Sequence, residues 1–311
     1  MRAARILKAG QPPAFGEVAD VEGIRVTAAP ITPLDLLCAS GTSYFGVPAL
    51  PYTPGVQGVG MMDAVPVWFA TSAGMKPGDG SMASSVSVAK DDIVELPEGV
   101  DAVTLAALGL SAVAALMALT WRGELIEGEQ VIVLGGGGVV GQAALQLARL
   151  HGARRVVAAV RSPAARVRAE SAGADAVVEL TTQDVGELTS RFAATLDGPA
   201  DLVLDPLFGA PAAAAARVLK PGGRLVNLGS SAAETCPIDS STLRSRSLRL
   251  LGYTNTELTI AQRADAITRI AGLCLEGKLS VTYEQVPLEQ VGAAWARQAE
   301  GAADGRIVLT P

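Results

Sequence analysis

The segment VIVLGGGGVVGQAALQLARLHG, residues 131–152, decides the fold. An unbroken apolar run enters a glycine turn, and the turn opens at once on an Ala/Leu pattern with helical spacing. Gly136, Gly138 and Gly141 stand at the G-x-G-x-x-G spacing in the strand-to-helix context that holds a dinucleotide pyrophosphate. On this reading Gly136 allows the tight turn, Gly138 lets backbone amides approach a phosphate, and Gly141 lets helix and strand pack closely. Val139 and Val140, between those glycines, are candidate cofactor contacts with them. A tight turn without a ligand is the plain alternative.

Downstream, RVVAAV, RVRAESAG, AVVEL, DLVLD and GRLVNLG continue the alternation of apolar strands and Ala-rich helical segments. Such alternation predicts a parallel sheet covered by helices. Residues 1–100 differ: they are rich in Gly, Pro and β-branched residues, with short apolar stretches at 24–29, 65–70 and 86–89 between turn signals, and read as an irregular β lobe. A helical stretch over 260–276 and short β-like pieces ending in GRIVLTP close the chain. At 311 residues, two lobes are expected rather than one core.

Composition removes whole classes of function. Hydrophobic residues make up 49% of the chain and charged ones 18%, which suits a large core and not a disordered chain. Twenty-five Lys and Arg against 31 Asp and Glu give a net charge of -6, so no nucleic-acid partner is expected. Three scattered cysteines, Cys38, Cys236 and Cys274, form neither a disulfide framework nor a CxxC pair. One histidine, His151, excludes multi-histidine metal sites; at the end of QLARLHG it reads as a helix-terminal residue capped by Gly152. The start MRAARILKAGQPP has no apolar run of signal length, so a cytoplasmic location is expected. Residues 102–120 carry no charge and approach membrane-spanning length, but seven are Ala and five Leu, which favours a buried helix and no membrane partner.

Cofactor choice is read at the end of RVVAAV. An NAD-binding chain usually carries Asp or Glu there, whereas here Val160 is followed by Arg161 and Ser162, with Arg166 one turn on. A 2′-phosphate would meet cations and a hydroxyl, so NADPH is favoured over NADH; a solvated helix face is the alternative reading. Asp205-Pro206 and Pro221-Gly222-Gly223 read as turn punctuation. Gly229 and Ser230 follow the strand end that lines the ligand crevice of a doubly wound sheet, and are candidate cofactor contacts.

The stretch LPYTPGVQGVG, residues 50–60, together with the glycine turn, resembles the medium-chain dehydrogenase/reductase superfamily, most closely its zinc-independent quinone oxidoreductase branch. ITPLDLLCASGT at 31–42, GSMASSVSVAKDDIVELPEGV at 80–100, DLVLDPLFG, PGGRLVNLGSSA and the terminal GRIVL agree in order, so the resemblance covers essentially the whole chain. It implies an α/β fold: a Rossmann doubly wound parallel sheet plus a GroES-like β-rich catalytic domain. Residues 1–113 and 255–311 would form the catalytic domain and 114–254 the Rossmann domain, with NADPH in the cleft where they meet and a homodimer as the common assembly.

Departures from the zinc-dependent alcohol dehydrogenases of that superfamily bear on the chemistry. Where those enzymes place a Cys three residues before the position of Asp35, and a His-Glu pair in the glycine motif, this chain has Thr32, Val56 and Gln57, so no metal is expected. Without a Lewis acid the reading points to acceptors that delocalise the added charge, a quinone or an α,β-unsaturated carbonyl of small planar shape. By family position Tyr44, Thr32 and Tyr52 are the candidate catalytic donors; Tyr44 leads, with Ser43 as its neighbour alternative and a packing role as the alternative for Tyr52. Cys38 is expected to be a small buried residue. The segment 61–79 is shorter than its family counterpart, with the deletion placed around 63–67. An NADPH-binding protein with little or no turnover, a zinc-free alcohol or ketone reductase, and a zinc alcohol dehydrogenase are the competing readings.

Overall fold

The computed structural model describes residues 1–43 and 45–311. The chain divides into two compact units, residues 1–109 with 260–311, and residues 110–259. The resemblance implies breaks after 113 and 254, four and five residues from those observed.

The chain begins with β1 (Arg2–Arg5), β2 (Ala14–Glu17), β3 (Ile24–Pro30), helix α1 (Pro33–Ser40), β4 (Gln57–Met62), β5 (Val65–Ala70), β6 (Ser85–Val86) and β7 (Ile93–Glu95). Of the apolar stretch at 86–89, only Val86 lies in a strand. β4 and β5 join through Asp63 and Ala64 alone, at φ 49° and 67°, with Met62 opposite Val65. Thus the segment read as shortened closes as a two-residue hairpin whose left-handed positions are filled without glycine.

The apolar stretch after β7 becomes α2 (Ala102–Met117) and a π-turn over Ala118–Arg122. By length and composition it is apolar enough to cross a membrane, yet two-thirds of that window is buried within the protein. α2 breaks at Gly109 (φ 31°, ψ −129°), where the first unit ends. A side chain there would overlap the Gln57 amide.

The second unit alternates strand and helix: β8 (Gln130–Leu134), α3 (Val139–Leu150), β9 (Arg155–Val160), α4 (Pro163–Ser171), β10 (Ala176–Glu179), α5 (Val185–Thr195), β11 (Ala200–Asp205), α6 (Gly209–Ala216), β12 (Leu219–Asn227), α7 (Ser240–Arg246) and β13 (Arg249–Gly252). All six strands run parallel in the order β10-β9-β8-β11-β12-β13, the Rossmann arrangement. Val131, Ile132, Val133 and Leu134 are buried because helices cover both faces of the sheet. Pro221-Gly222-Gly223 lies inside the span of β12 rather than before it, where pairing with β11 jumps from Ala200 opposite Leu219 to Leu202 opposite Arg224.

The chain then returns to the first unit with α8 (Ile260–Leu275), β14 (Tyr283–Pro287), α9 (Val291–Ala299) and β15 (Arg306–Thr310). β15 pairs antiparallel with β3, Leu309 facing Ala29, and completes a sheet ordered β14-β15-β3-β4-β5-β7 with β6 on β3. Ile6, Ile24, Ile31, Phe69, Met82, Trp295 and Leu309 fill its core, so both ends of the chain build one hydrophobic interior.

Beneath the parallel sheet, at the N-terminal end of β8, sits a buried ion pair. Arg224 donates from Nη1 and Nη2 to the two Glu129 oxygens, each at 2.7 Å, from Nε to the Gly123 carbonyl at 2.8 Å, and from Nη2 to the Glu124 carbonyl at 3.1 Å. A bidentate pair with its remaining donors satisfied offsets the desolvation of both charges. Glu129→Ala would leave Arg224 buried and uncompensated, and is expected to cost about 3–5 kcal/mol of unfolding free energy in urea titration. Burial pushes the Glu129 carboxyl up, but the Arg224 hydrogen bonds, the Ile126 amide and the Arg224 charge outweigh it, and the net shift is downward. A carboxylate held below its unfolded value adds stability at pH above that value and loses it as pH falls through the folded one. Glu129→Gln is therefore expected to flatten the acid limb of the stability profile.

Candidate cofactor and active site

In the parallel sheet, successive strands run outward from β8 in opposite directions, so the crevice beyond the C-terminal ends of β8 and β11 is the switch point where doubly wound folds bind ligands. The glycine turn occupies it. The tight turn is made by Gly135 at φ 67°, not by Gly136 as the motif reading has it. Gly136 instead lies against β9: its amide donates to the Ala159 carbonyl at 3.1 Å, and a Cβ on it would stand 2.6 Å from the Ala158 Cβ. A Cβ on Gly141 would overlap the Gly135 carbonyl, so α3 packs on the turn as the motif requires. Gly138 caps α3 and is exposed, and a Cβ on it would meet only the Gly135 carbonyl, at an ordinary 3.4 Å. Val139 and Val140 follow as the first residues of α3, whose first amides have no acceptor within the helix and point out of its positive end.

One peptide of the turn is held from two sides. The Gly137 carbonyl accepts from Arg168 Nε at 2.9 Å and from Gln142 Nε2 at 3.1 Å. A Cβ on Gly137 would come within 2.5–2.6 Å of the Ala165 Cβ, carbonyl oxygen and Cα, so α4 lies directly on the turn. Arg168 is not among the residues that the sequence singles out. A signal was present: Ser162 caps α4 by accepting from the Ala165 amide and Pro163 starts it, and from that start Ala165 and Arg168 share a helix face.

The arginines read as a 2′-phosphate site are in different states. Arg161, after β9, is exposed and makes no ion pair among the described residues. Arg166 is already paired: Nε and Nη2 donate to Glu179 at 3.2 and 3.0 Å, and Nη1 to Glu170 at 3.1 Å. Both partners are themselves exposed, so these pairs are weak.

Across the switch point, Asp205 makes the turn that its place at the end of β11 predicts. Read as turn punctuation, it is also a fully buried carboxylate that accepts from the Leu207 and Phe208 amides at 2.9 and 2.8 Å and from Asn227 Nδ2 at 3.0 Å. Burial pushes its carboxyl up, against those same donors. They hold Phe208 at φ 60°, ψ −162°, a backbone region that side-chain-bearing residues avoid at a cost of about 1–3 kcal/mol. Gly229 packs on the Pro206 carbonyl and its own carbonyl accepts from Asn227; Ser230 donates to Glu234 at 2.7 Å. His151 ends α3, its Nδ1 2.7 Å from the Leu147 carbonyl, with Gly152 at φ 83° behind it.

In the β-rich unit Thr32 packs against Asp35. This buried carboxylate accepts from the Gly55 and Val56 amides at 3.0 and 2.9 Å through Oδ1, and from the Thr32 amide and hydroxyl at 2.8 and 2.6 Å through Oδ2. Burial pushes the Asp35 carboxyl up, against the pull of the Thr32 donors, the Val56 amide and the Arg306 charge. Thr32 is thereby removed as a substrate donor, because its hydroxyl proton goes to Asp35 and its lone pair caps α1. Tyr52 is likewise a packing residue, 4% exposed, and its buried hydroxyl has no hydrogen-bond partner among the described residues. Tyr44 lies outside the described residues; Ser43 is buried and accepts from the Phe45 amide.

The chemistry of the donor set at the zinc positions does not fit a metal. Thr32 is committed to Asp35, Val56 is apolar, and the Gln57 amide oxygen accepts from Trp68 Nε1 at 3.2 Å. Among the described residues no group of three or more His, Cys, Asp and Glu side chains converges. Burial pushes the thiols of Cys38 and Cys236 up to about 11 and that of Cys274 to about 12, which leaves them weak nucleophiles at neutral pH. The glycine cradle does fit a dinucleotide, with an exposed Gly138, the positive end of α3 and the unpaired Arg161 arranged around backbone that tolerates no further Cβ.

A family profile described as zinc-binding dehydrogenase matches residues 139–272. Human quinone oxidoreductase is 27% identical over 99% of this chain and 97% of its own. The quinone oxidoreductase of Thermus thermophilus, solved also as a complex with NADPH, superposes with a TM-score of 0.81 at 26% identity, covering all of both chains. A mycobacterial quinone oxidoreductase superposes at 0.88 with 19% identity, again over both full chains.

The packing of α4 on the turn yields a direct test. Gly137→Ala is expected to lower unfolding free energy by about 1–3 kcal/mol, the usual range for overpacking, and to weaken dinucleotide binding in the same protein. Urea titration and fluorescence titration with NADPH read the two effects.

Proposed function

We propose that this chain is an oxidoreductase of the quinone oxidoreductase branch of the medium-chain dehydrogenase/reductase superfamily, which uses NADPH to reduce a quinone or an α,β-unsaturated carbonyl without zinc; the similarity to zinc-binding dehydrogenases and quinone oxidoreductases supports that reading. The observation that carries the reading is the donor set at Thr32, Val56 and Gln57, which offers no ligand to a Lewis acid. A simple ketone needs such an acid to stabilise the alkoxide that forms on reduction; a quinone or enone spreads the same charge over a ring or an enolate. When bound, the nicotinamide supplies the hydride, two electrons with one proton, and a second proton from a donor or solvent completes the product.

The chain's own residues bind and orient. Gly138, Val139 and Val140 present backbone amides to the diphosphate, with the turn held by Arg168 and Gln142 through the Gly137 carbonyl. Arg161 supports NADPH over NADH, because it stands unpaired at the end of β9 where an NAD-selective chain carries a carboxylate. Tyr44 is proposed, by sequence position, as the donor to the substrate oxygen. The comparisons support the assignment through the names of similar proteins, one of them solved with NADPH.

Binding without turnover is a second reading, favoured by one observation: two of the three candidate donors, Thr32 and Tyr52, are buried and not available to a substrate. NADPH oxidation followed by absorbance with a panel of small quinones and enones separates the readings. Consumption with a conjugated acceptor, lowered in Tyr44→Phe and unaffected by chelator, is the expected result. Binding with no consumption for any acceptor would support the second reading, and stoichiometric zinc in the purified protein would overturn the metal argument.

We also propose a homodimer built on β13. That strand is the edge of its sheet, with no strand of the described residues on its far side, and carries Leu250 at 43% exposure. An apolar unpaired edge is a template for pairing with a second copy. Light scattering on the eluting protein is expected to give twice the chain mass, and Leu250→Lys to shift it towards the monomer.

A further inference from the structure

The rim of the parallel sheet beside the glycine turn holds two arginines in opposite electrostatic states. Arg161 is exposed and unpaired among the described residues; Arg166 carries a carboxylate on each side, Glu170 on its own helix and Glu179 at the end of β10. Glu179 is paired in register with Val160, the last residue of β9, so its carboxylate stands on the same rim as Arg161. Resting on the dinucleotide reading above, we propose that Glu179 is a cofactor-specificity residue, which competes with the 2′-phosphate of NADPH for the guanidinium of Arg166 and so narrows the preference for NADPH over NADH.

Three features support the competition. First, the Nε and Nη2 edge of Arg166, the edge that grips two oxygens of a phosphate side by side, is spent on the single oxygen Oε1 of Glu179. Two donors on one oxygen is a poorer match than two donors on two, so a phosphate brings geometry that the carboxylate lacks. Second, Glu179 is exposed at 55% and Arg166 at 39%, so the pair is solvent-screened and exchangeable. Third, the strand end itself is anchored: Arg191 donates from Nη1 to the Glu179 carbonyl and the Thr181 hydroxyl, both at 2.7 Å, and from Nη2 to Glu187 at 2.6 Å. Only the Glu179 side chain has to move for Arg166 to be released. Without displacement, the Glu179 charge both occupies Arg166 and repels a dianion, whereas the 2′-hydroxyl of NADH neither needs Arg166 nor is repelled.

A double-mutant cycle tests this by calorimetric titration of NADPH and NADH into the full chain, with no acceptor present. Glu179→Gln keeps the shape and removes the charge. It is expected to tighten NADPH by about two- to fivefold, the range of an exposed ion pair, and to leave NADH unchanged. In an Arg166→Ala background the same substitution is expected to give little or no gain. An NADPH to NADH ratio that does not rise in Glu179→Gln overturns the proposal, and so does a gain of equal size without Arg166, which would be charge repulsion alone. Wild-type protein that binds neither dinucleotide is a different result, and it would overturn the functional reading together with this inference.

Discussion

Between β8 and α3 the backbone passes through a space that admits no Cβ atoms on three sides. Gly136 lies on β9, Gly137 on α4, and Gly141 on the turn itself, while Gly135 supplies the left-handed backbone that lets the chain reverse there. The rest of the nucleotide-binding unit depends on that constraint. Helix α3 starts at the switch point because the turn is this short, and its positive end begins at the exposed Gly138. Arg168 and Gln142 then hold the Gly137 carbonyl from opposite sides, so the cradle is pre-shaped before anything binds.

Asp35 has the corresponding place in the β-rich unit. It ties the start of α1 to the loop at Gly55 and Val56 with four hydrogen bonds to one buried carboxylate. That role explains why Thr32 fails as a catalytic donor. A threonine before a Pro-x-Asp sequence is an N-cap by local chemistry, and a hydroxyl that both caps a helix and donates to a buried carboxylate has no proton left for a substrate. The metal-free reading gains from the same fact, since the group standing in for a zinc ligand is already engaged within the protein.

Charge is distributed unevenly along β8. At its N-terminal end Arg224 and Glu129 form a buried, fully hydrogen-bonded pair that is structural. At its C-terminal end charges are exposed and exchangeable, as Arg166 with Glu170 and Glu179 shows. Buried pairs resist rearrangement and exposed ones permit it, so the two pairs differ in where they lie relative to solvent.

Local sequence by itself determined the alternation of strand and helix and the glycine turn between them, because hydrophobic period and glycine spacing are short-range properties. Residue identity alone likewise gave Thr32, Val56 and Gln57 at the positions on which the metal-free proposal rests. Tertiary structure alone decided which polar groups meet partners far along the chain. Thr32 finds Asp35 three residues on by a local cap, whereas Arg166 is engaged by a neighbouring strand end and Asp205 by Asn227, 22 positions on. The partner of Arg166 on β10 lies 13 positions along the chain, and Arg168 meets Gly137 31 positions back. A hydrogen bond's direction and a side chain's exposure depend on the packing of distant segments, and no pattern within a single window of sequence encodes them.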